Sequence, residues 1–340
     1  MDFSIFFFSS NGTTSEEDKY RLIKEVARYA DQHDFTGIWT PERHFDAFGG
    51  LYPNPSTISA ALAMITDRIK LRAGSVVMPL QDPLRVAEEW AVVDNLSGGR
   101  VQLAFASGWH VNDFVLKQEN FADRHAALQT GIETFHQLWA GESVIRHNGQ
   151  GEPIEVKTYP LPIQPKVEMW LTCQADESFI TAGEMGMNVL TNFTGKRIED
   201  LARKVRLYQR ARQRVGFDAE TGKITLMMHT FVGAEEDVVR EKVTKAYTDY
   251  LTNNLNLQTK HFEAAGSSDE EQESLIAHAV DRLFDSNGLV GTPETCEEIV
   301  ERFQSIGVNE IACLIDFGIG TEDILANLPM LNELRKKYQD

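Results

Sequence analysis

Residues 69–112 read IKLRAGSVVMPLQDPLRVAEEWAVVDNLSGGRVQLAFASGWHVN, and this stretch decides the fold. Residues 71–78 form a short, valine-rich apolar run, as expected of a strand covered on both faces. Pro79 closes it. Asp82 is a good N-cap, and Pro83 suits the first helical position, where its missing N–H has no intrahelical role. Val86, Trp90 and Val93 then share one helical face. Gly98 and Gly99 end the helix, because glycine accepts the left-handed cap conformation. A second apolar strand starts at Val101. Strand, crossover helix and parallel strand make a right-handed unit with both carboxyl ends on one side. Small residues cluster near those ends: Ala73, Gly74 and Ser75 on one strand, Ala104, Ala106, Ser107 and Gly108 on the other. In α/β proteins ligands bind there, and small side chains leave room for a flat one.

The same alternation runs through the whole chain. Strands are predicted at 3–8, 35–40, 71–78, 101–105, 167–173, 188–193, 224–232 and 310–317. Helices are predicted at 16–33 (capped by Thr14 or Ser15), 56–67, 121–140, 177–186, 198–215 and 321–338, besides the one in the opening stretch. Thr292 caps a further helix beginning at Pro293. Eight strands alternating with helices predict an α/β fold, a (β/α)8 TIM barrel, rather than a doubly wound open sheet. The count closes at eight, and no G-x-G-x-x-G follows the first strand. A typical barrel takes about 250 residues. The surplus of this 340-residue chain fits two insertions in one barrel domain spanning 1–340. One is a polar, Gly- and Pro-rich hairpin after the fourth helix, near 143–166; the other lies between strands seven and eight, near 235–290.

Charge limits the partners. With 33 basic against 51 acidic residues the net charge is −18, which opposes binding to nucleic acid or anionic membranes. No apolar run is long enough to span a bilayer, and the first residues lack the basic flank of a signal peptide. Cys173, Cys296 and Cys313 form no CxxC pair, which fits a reducing, cytoplasmic setting and inert core thiols. HExxH, Walker A and G-x-S-x-G are all missing, so no metal site, P-loop or hydrolase is predicted.

In a barrel the chemistry lies at the carboxyl ends of the strands. The second strand ends in Thr40-Pro41-Glu42-Arg43-His44-Phe45 and the fourth in Ser107-Gly108-Trp109-His110. His44 is either a half-buried histidine bonded to Glu42 or backbone, or an acid–base group. Arg43 is either a solvated charge or an anion clamp, and Trp109 and His110 are either core and surface residues or a stacking wall. His229 alternates with core positions on its strand, which favours a structural role. The loop Gln174-Ala175-Asp176-Glu177-Ser178 opens a helix whose first N–H groups lack partners, an arrangement that attracts anions. Arg124, opening the preceding helix, offers a matching charge.

At these residues the chain resembles the bacterial luciferase-like family of flavin-dependent monooxygenases. The likeness covers most of the chain. Its motifs are Thr40 to Phe45, Asn54-Pro55, the run from Asp82 to Glu89 and the run from Asp94 to Arg100. Ser107 to His110 with Asn112, Leu226 to Gly233 and Asn309 to Gly318 resemble a branch associated with natural-product assembly lines.

The resemblance implies a barrel holding FMN, reduced FMNH2 being the working form. Phosphate would lie at Gln174, Ala175 and Ser178, assisted by Arg124. A non-proline cis peptide would fall at Gly74-Ser75, with the ring passing near Ser107 and Phe193. The luciferases' catalytic histidine corresponds to Arg43, their next histidine to His44 and their reactive cysteine to Ala106; Ser107 stands where they carry a phosphate-gripping arginine. These departures argue against light emission and an aldehyde substrate. The expected activity is oxygenation of a small-molecule or carrier-bound substrate with O2, served by a separate flavin reductase. Arg43, His44 and His110 are the expected catalytic contacts. The family also resembles homodimers packed through the second and third helices, and here Ser56, Ser59, Ala60 and Ala63 give the second helix a small-residue face. Two other readings stand beside this one: a deazaflavin-dependent oxidoreductase on the same barrel, and a catalytically silent flavin-binding protein.

Overall fold

All eight apolar runs are strands. The computed structural model describes residues 1–8, 18–193, 197–259 and 269–339. In chain order the elements are β1 (Asp2–Phe6), α1 (Arg21–Gln32), β2 (Gly37–Thr40), α2 (Pro55–Ala63), β3 (Lys70–Val77), α3 (Pro83–Ser97), β4 (Val101–Ala106) and α4 (Arg124–Trp139). A hairpin, β5 (Val144–His147) with β6 (Pro153–Val156), follows. Then come β7 (Glu168–Thr172), α5 (Asp176–Glu184), β8 (Asn188–Asn192), α6 (Ile198–Arg214) and β9 (Ile224–Val232). The chain ends with α7 (Glu236–Thr259), α8 (Asp269–Arg282), β10 (Leu289–Gly291), α9 (Pro293–Gln304), β11 (Glu310–Leu314) and α10 (Thr321–Lys336).

Parallel pairing runs β1-β2-β3-β4-β7-β8-β9-β11 and closes through β11 on β1, with Ile5 opposite Cys313. This is a closed eight-stranded α/β barrel. The antiparallel β5–β6 hairpin accounts for the predicted insertion after α4, with Val144 opposite Val156. The second excursion carries α7, α8 and β10. β10 is a ninth strand that the sequence did not announce; its three residues pair with Thr230, Phe231 and Val232 at the end of β9.

Local chemistry sets the helix ends. The Asp82 carboxylate accepts the Leu84 N–H at 2.9 Å, and Gly98 ends α3 at φ +68°. Asn54 caps α2 through the Thr57 N–H at 2.9 Å, and Thr292 caps α9. The first helix is shorter than expected. It starts at Arg21 after a turn at Lys19 and Tyr20, while the expected caps Thr14 and Ser15 lie outside the described residues. The fourth helix starts at Arg124, because residues 118–120 form a separate 3-10 turn.

Two layers fill the protein. Outside the barrel, strand residues such as Ile5, Leu71 and Phe105 pack under the helices, where full burial is worth about 1.5–3 kcal/mol per large side chain. Inside, Phe6, Trp39, Ala104, Trp170, Leu190 and Leu314 make a separate cluster. Beneath it, toward the amino ends, lies a buried polar layer. Arg72 donates to Glu310 Oε1 at 2.5 Å and to Gln102 Oε1 at 2.6 Å, and Gln102 donates to Glu168 Oε2 at 2.5 Å. The Arg72 guanidinium sits 4.8 Å from the Trp39 ring centroid. This plug seals the amino end of the barrel. All three cysteines are buried, and burial pushes the Cys173 and Cys313 thiols up to about 12.

The small-residue face of α2 faces inward. Ser56, Ser59 and Ala63 are 5%, 1% and 6% exposed, because α2 packs on α3 and β3 within the chain. Ser56 donates to Glu89 Oε2 on α3 at 2.9 Å. These residues are therefore already used and present no face outward.

Candidate active site at the carboxyl ends of the strands

Inward-pointing residues alternate along each strand, so the residues above the apolar cluster face an opening. There the barrel encloses a cavity of about 390 Å³. Phe6, Leu190 and Met227 form its floor. Gly74, Ser75, Ala106 and Gly108 make a wall of small residues. Thr172, Gln174, Thr191 and Asn192 add polar groups, and Tyr247, Tyr250 and Leu251 of α7 complete the lining. A second pocket of about 380 Å³ opens at the amino ends, lined by Asp31, Arg68 and Lys223 among others. That face of a barrel serves stability, so the cavity at the carboxyl ends is the candidate site.

The small-residue wall has a steric cause. A Cβ on Gly74 would stand 2.9 Å from Phe6 Cε2 and 3.1 Å from Trp39 Cβ. Gly108, at φ +77°, would bring a Cβ within 2.9 Å of Val77 Cγ1. The peptide between Gly74 and Ser75 is cis, at the point where the β3–β4 register shifts. The Ser75 hydroxyl is tied to that of Thr172.

Arg43 is the unusual member. It lines the cavity at 5% exposure, yet Nε and Nη2 are buried without any hydrogen-bond acceptor. Three rings surround its guanidinium: Phe8 at 4.9 Å, Trp109 at 5.3 Å and Phe48 at 5.9 Å. Burial pulls its pKa below the ordinary guanidinium value, opposed by Asp113, Tyr250 and Asp46. His229 also faces the cavity. Its Nε2 is buried and unpartnered, among the rings of Tyr247 at 4.9 Å, Tyr250 at 5.0 Å and Phe317 at 5.3 Å. Burial alone lowers its pKa to about 3, so the imidazole is neutral at physiological pH. Burial likewise raises the Tyr250 hydroxyl, which stays protonated. Thr191 Oγ1 is a third orphan. Arg43, Thr191 and His229 hold four of the six unpartnered buried side-chain atoms among the described residues. Buried polar groups are normally satisfied, so such a concentration marks a ligand site.

Of the residues expected from the sequence, Arg43, Gly74, Ser75 and Gln174 line this cavity. His44 stands just behind it, with Nε2 3.0 Å from Glu42 Oε1. Glu42, itself lining the cavity, also accepts the Val77 N–H at 2.7 Å and the Gln81 side-chain amide. His110 is buried with Nδ1 2.9 Å from Asp113 Oδ1, outside the cavity lining. Ser107 lies between two lining residues, Ala106 and Gly108. Arg124 donates to the Phe121 carbonyl at 3.3 Å, with its guanidinium 5.3 Å from the Phe121 ring. Ser178 donates to the Ala175 carbonyl at 2.7 Å and accepts the Gln174 N–H at 3.1 Å. Ala175 gives α5 no side-chain cap. Lys204 reaches the Gln174 carbonyl, and Arg203 donates to Asp176 Oδ1 at 2.9 Å, so two α6 cations flank the turn. Phe193 is buried against Phe303 of α9, 4.8 Å between centroids, on the helix side of the barrel.

The sequence reading took His229 as structural and missed Tyr250, Lys204 and Arg203. For the two cations the helical periodicity of α6 gave a usable signal, since both fall one turn or so inside its start. For His229 it gave none. Both faces of a barrel strand are buried, so alternation does not distinguish the cavity from the helix layer.

Known proteins resemble the chain over its whole length. The oxygenase component of the flavin-dependent trigonelline monooxygenase of Acinetobacter baylyi is 25% identical, covering 100% of this chain and 96% of that protein. Among solved structures, monooxygenase RslO1 of Streptomyces bottropensis superposes with a TM-score of 0.82 at 22% identity over the full length of both chains. The oxygenating constituent of 3,6-diketocamphane monooxygenase of Pseudomonas putida, solved with FMN, gives 0.77 at 17% identity, covering 99% and 98%. At those identities the two structures speak for the fold alone. The profile of the luciferase-like monooxygenases matches residues 1–310. With most of its length inside that match, the chain belongs to the luciferase-like monooxygenase family.

Proposed function

We propose that the protein is an FMN-dependent monooxygenase, the oxygenase half of a two-component system that takes reduced flavin from a separate reductase. The cavity carries this reading: a pocket walled by small residues at the carboxyl ends of the strands, with three orphaned polar side chains aimed at one space. The residues present fit a flavin. The small wall of Gly74, Ser75 and Ala106 suits a flat ring, and Gln174, Thr191 and Asn192 offer polar contacts to its edge. The first turn of α5, at Ala175 and Ser178 with Lys204 nearby, suits a phosphate. Arg124 and Ser107 belong to the same reading. The FMN in the diketocamphane relative supports it.

Bound reduced FMN supplies the electrons that activate O2. The chain's own residues do the rest. Phe8, Trp109, Tyr247 and Tyr250 exclude water from the reacting atoms. Glu42 accepts the His44 Nε2–H, which fixes the tautomer and leaves Nδ1 as the basic nitrogen. His229, neutral, meets its ligand as a polar but uncharged group. Arg43 supplies the positive charge, with His44 and His110 completing the proposed catalytic set.

Titration of the full chain with FMN, read by quenching of flavin fluorescence, tests the reading. A dissociation constant in the micromolar range is expected, with riboflavin weaker. No binding of oxidised or reduced FMN at hundreds of micromolar would reject it, and tighter binding of a deazaflavin would move the assignment to a deazaflavin oxidoreductase. Turnover is expected only with a flavin reductase present. Homodimerisation through α2 and α3 belongs to the proposal too. Its support is now the exposed apolar Met64 after α2, with Val92 and Leu96 on α3. Sedimentation equilibrium at micromolar protein checks it.

A further inference from the structure

We propose that Arg43 is the docking point for a carboxylate on the substrate, so that the enzyme acts on an organic acid rather than on a neutral hydrocarbon, aldehyde or ketone. The inference rests on the cavity being the substrate site. It starts from which atoms of Arg43 are orphaned. Nε and Nη2 lie on the same edge of the guanidinium, and their N–H bonds run parallel. That edge is spaced to meet both oxygens of one carboxylate, the bidentate geometry in which arginine binds acids most strongly.

Among the described residues nothing fills the role. Among the described residues Arg43 takes part in no ion pair within 4.0 Å. The nearby acids are engaged elsewhere: Asp113 with His110 at 2.9 Å, and Asp46 with the Phe48 N–H at 2.8 Å. Tyr250 keeps its proton and supplies no counter-charge. The rings of Phe8, Phe48 and Trp109 stabilise the charge, but ring faces are weak acceptors for two directed N–H bonds. A buried, hydrogen-bond-deficient cation favours an anionic oxygen over a neutral one.

The surroundings define the remainder of the ligand. Trp109 is 55% exposed and covers the guanidinium from the solvent side, so it has the freedom to swing and admit an acid. On the side away from the polar residues proposed for the flavin, the lining is aromatic or apolar, Tyr247, Tyr250 and Leu251, with the neutral His229 among them. The matching substrate has a carboxylate at one end, an apolar or aromatic body, and a polar atom at the far end for His229.

The test compares carboxylates with their neutral amides on the FMN-loaded protein, followed by tryptophan fluorescence and calorimetry. The pairs are benzoate with benzamide, phenylacetate with phenylacetamide, and hexanoate with hexanamide. At least one carboxylate should bind about tenfold tighter than its amide. In R43Q the preference should vanish, and in R43K it should survive only in part, because a lysine lacks the fork. FMN affinity should stay within about twofold of wild type in both variants, and thermal melts establish that each is folded. Equal binding of acid and amide in wild type, no binding of any probe at about 20 mM, or a preference retained in R43Q would each overturn the proposal. So would loss of FMN binding in R43Q, which would assign Arg43 to the cofactor. Should wild type bind no flavin, the flavin reading falls separately, and the acid–amide comparison is then read on the protein alone.

Discussion

Glu42 Oε1 lies 3.0 Å from His44 Nε2, while the other oxygen of the same carboxylate takes the Val77 N–H at 2.7 Å. One side chain thus ties the end of β2 to the end of β3 and orients a histidine. The two tasks separate by mutation. Glu42→Ala leaves a buried N–H unpaired, so the fold should lose about 1–3 kcal/mol. His44→Ala should shift the urea midpoint little, yet lower turnover by about a hundredfold if Nδ1 moves a proton. Urea titrations beside initial rates read both; a large stability loss in H44A would reduce His44 to a packing role.

Arg43 should be a residue that the fold does better without. Its buried guanidinium lacks two acceptors, and Met fills a similar volume without charge. R43M should melt at or above the wild-type temperature, with about 1 kcal/mol gained, while losing activity. Scanning calorimetry with assays checks this. A clearly lower melting temperature would mean that the contacts to Phe8, Trp109 and Phe48 outweigh the burial.

Gly74→Ala should overpack the wall of the cavity. The new Cβ would meet the Phe6 ring at 2.9 Å, inside the barrel, where neighbours have little room to yield. A loss of about 1–3 kcal/mol is expected, with weaker flavin binding. Wild-type values for both the denaturation midpoint and the flavin titration would count against the steric argument.

His229 should make the protein acid-sensitive. Its folded pKa, near 3, lies below the unfolded value of 6.5. Between those values the unfolded chain binds a proton that the folded chain refuses. The contribution is therefore complete above 6.5 and is lost as pH falls toward 3, by up to about 1.4 kcal/mol per pH unit. H229Q removes this titration, so its stability should fall less steeply over that window. Identical slopes in urea midpoints from pH 7 to pH 4 would refute the assignment.

In the polar plug, Arg72 and Glu310 are 3% and 1% exposed and 2.5 Å apart. Glu310→Ala leaves the Arg72 cation short of its counter-charge and should cost about 3–5 kcal/mol. The double variant R72M/E310M should recover much of that loss. A double variant no more stable than E310A would show that the pair does more than neutralise itself.

The barrel was legible because its strands announce themselves one by one. Residues 71–78 and 101–105 are apolar runs with clear stops, and the Asp82, Pro83 and Gly98 signals set the ends of α3 within a residue. β10 was not legible: three residues make too short a pattern, and the strand exists only because β9 runs on past the barrel. The start of α1 misled because polar residues ahead of Arg21 read as a helical first turn. At the site, the motif around Arg43 and the glycine at 74 stood out as residue types. That Arg43 has no acceptor, and that His229 faces the cavity, depends on residues from β2, α7 and β9 meeting in space. No local pattern encodes that meeting.

The sealed amino end makes the barrel a cul-de-sac. Among the described residues, whatever settles on the floor formed by Phe6, Leu190 and Met227 has its way out at the carboxyl ends, past the α7 residues Tyr247, Tyr250 and Leu251. On the proposed reading, an acid held at Arg43 would act as a stopper, tying each cofactor visit to the fate of its substrate.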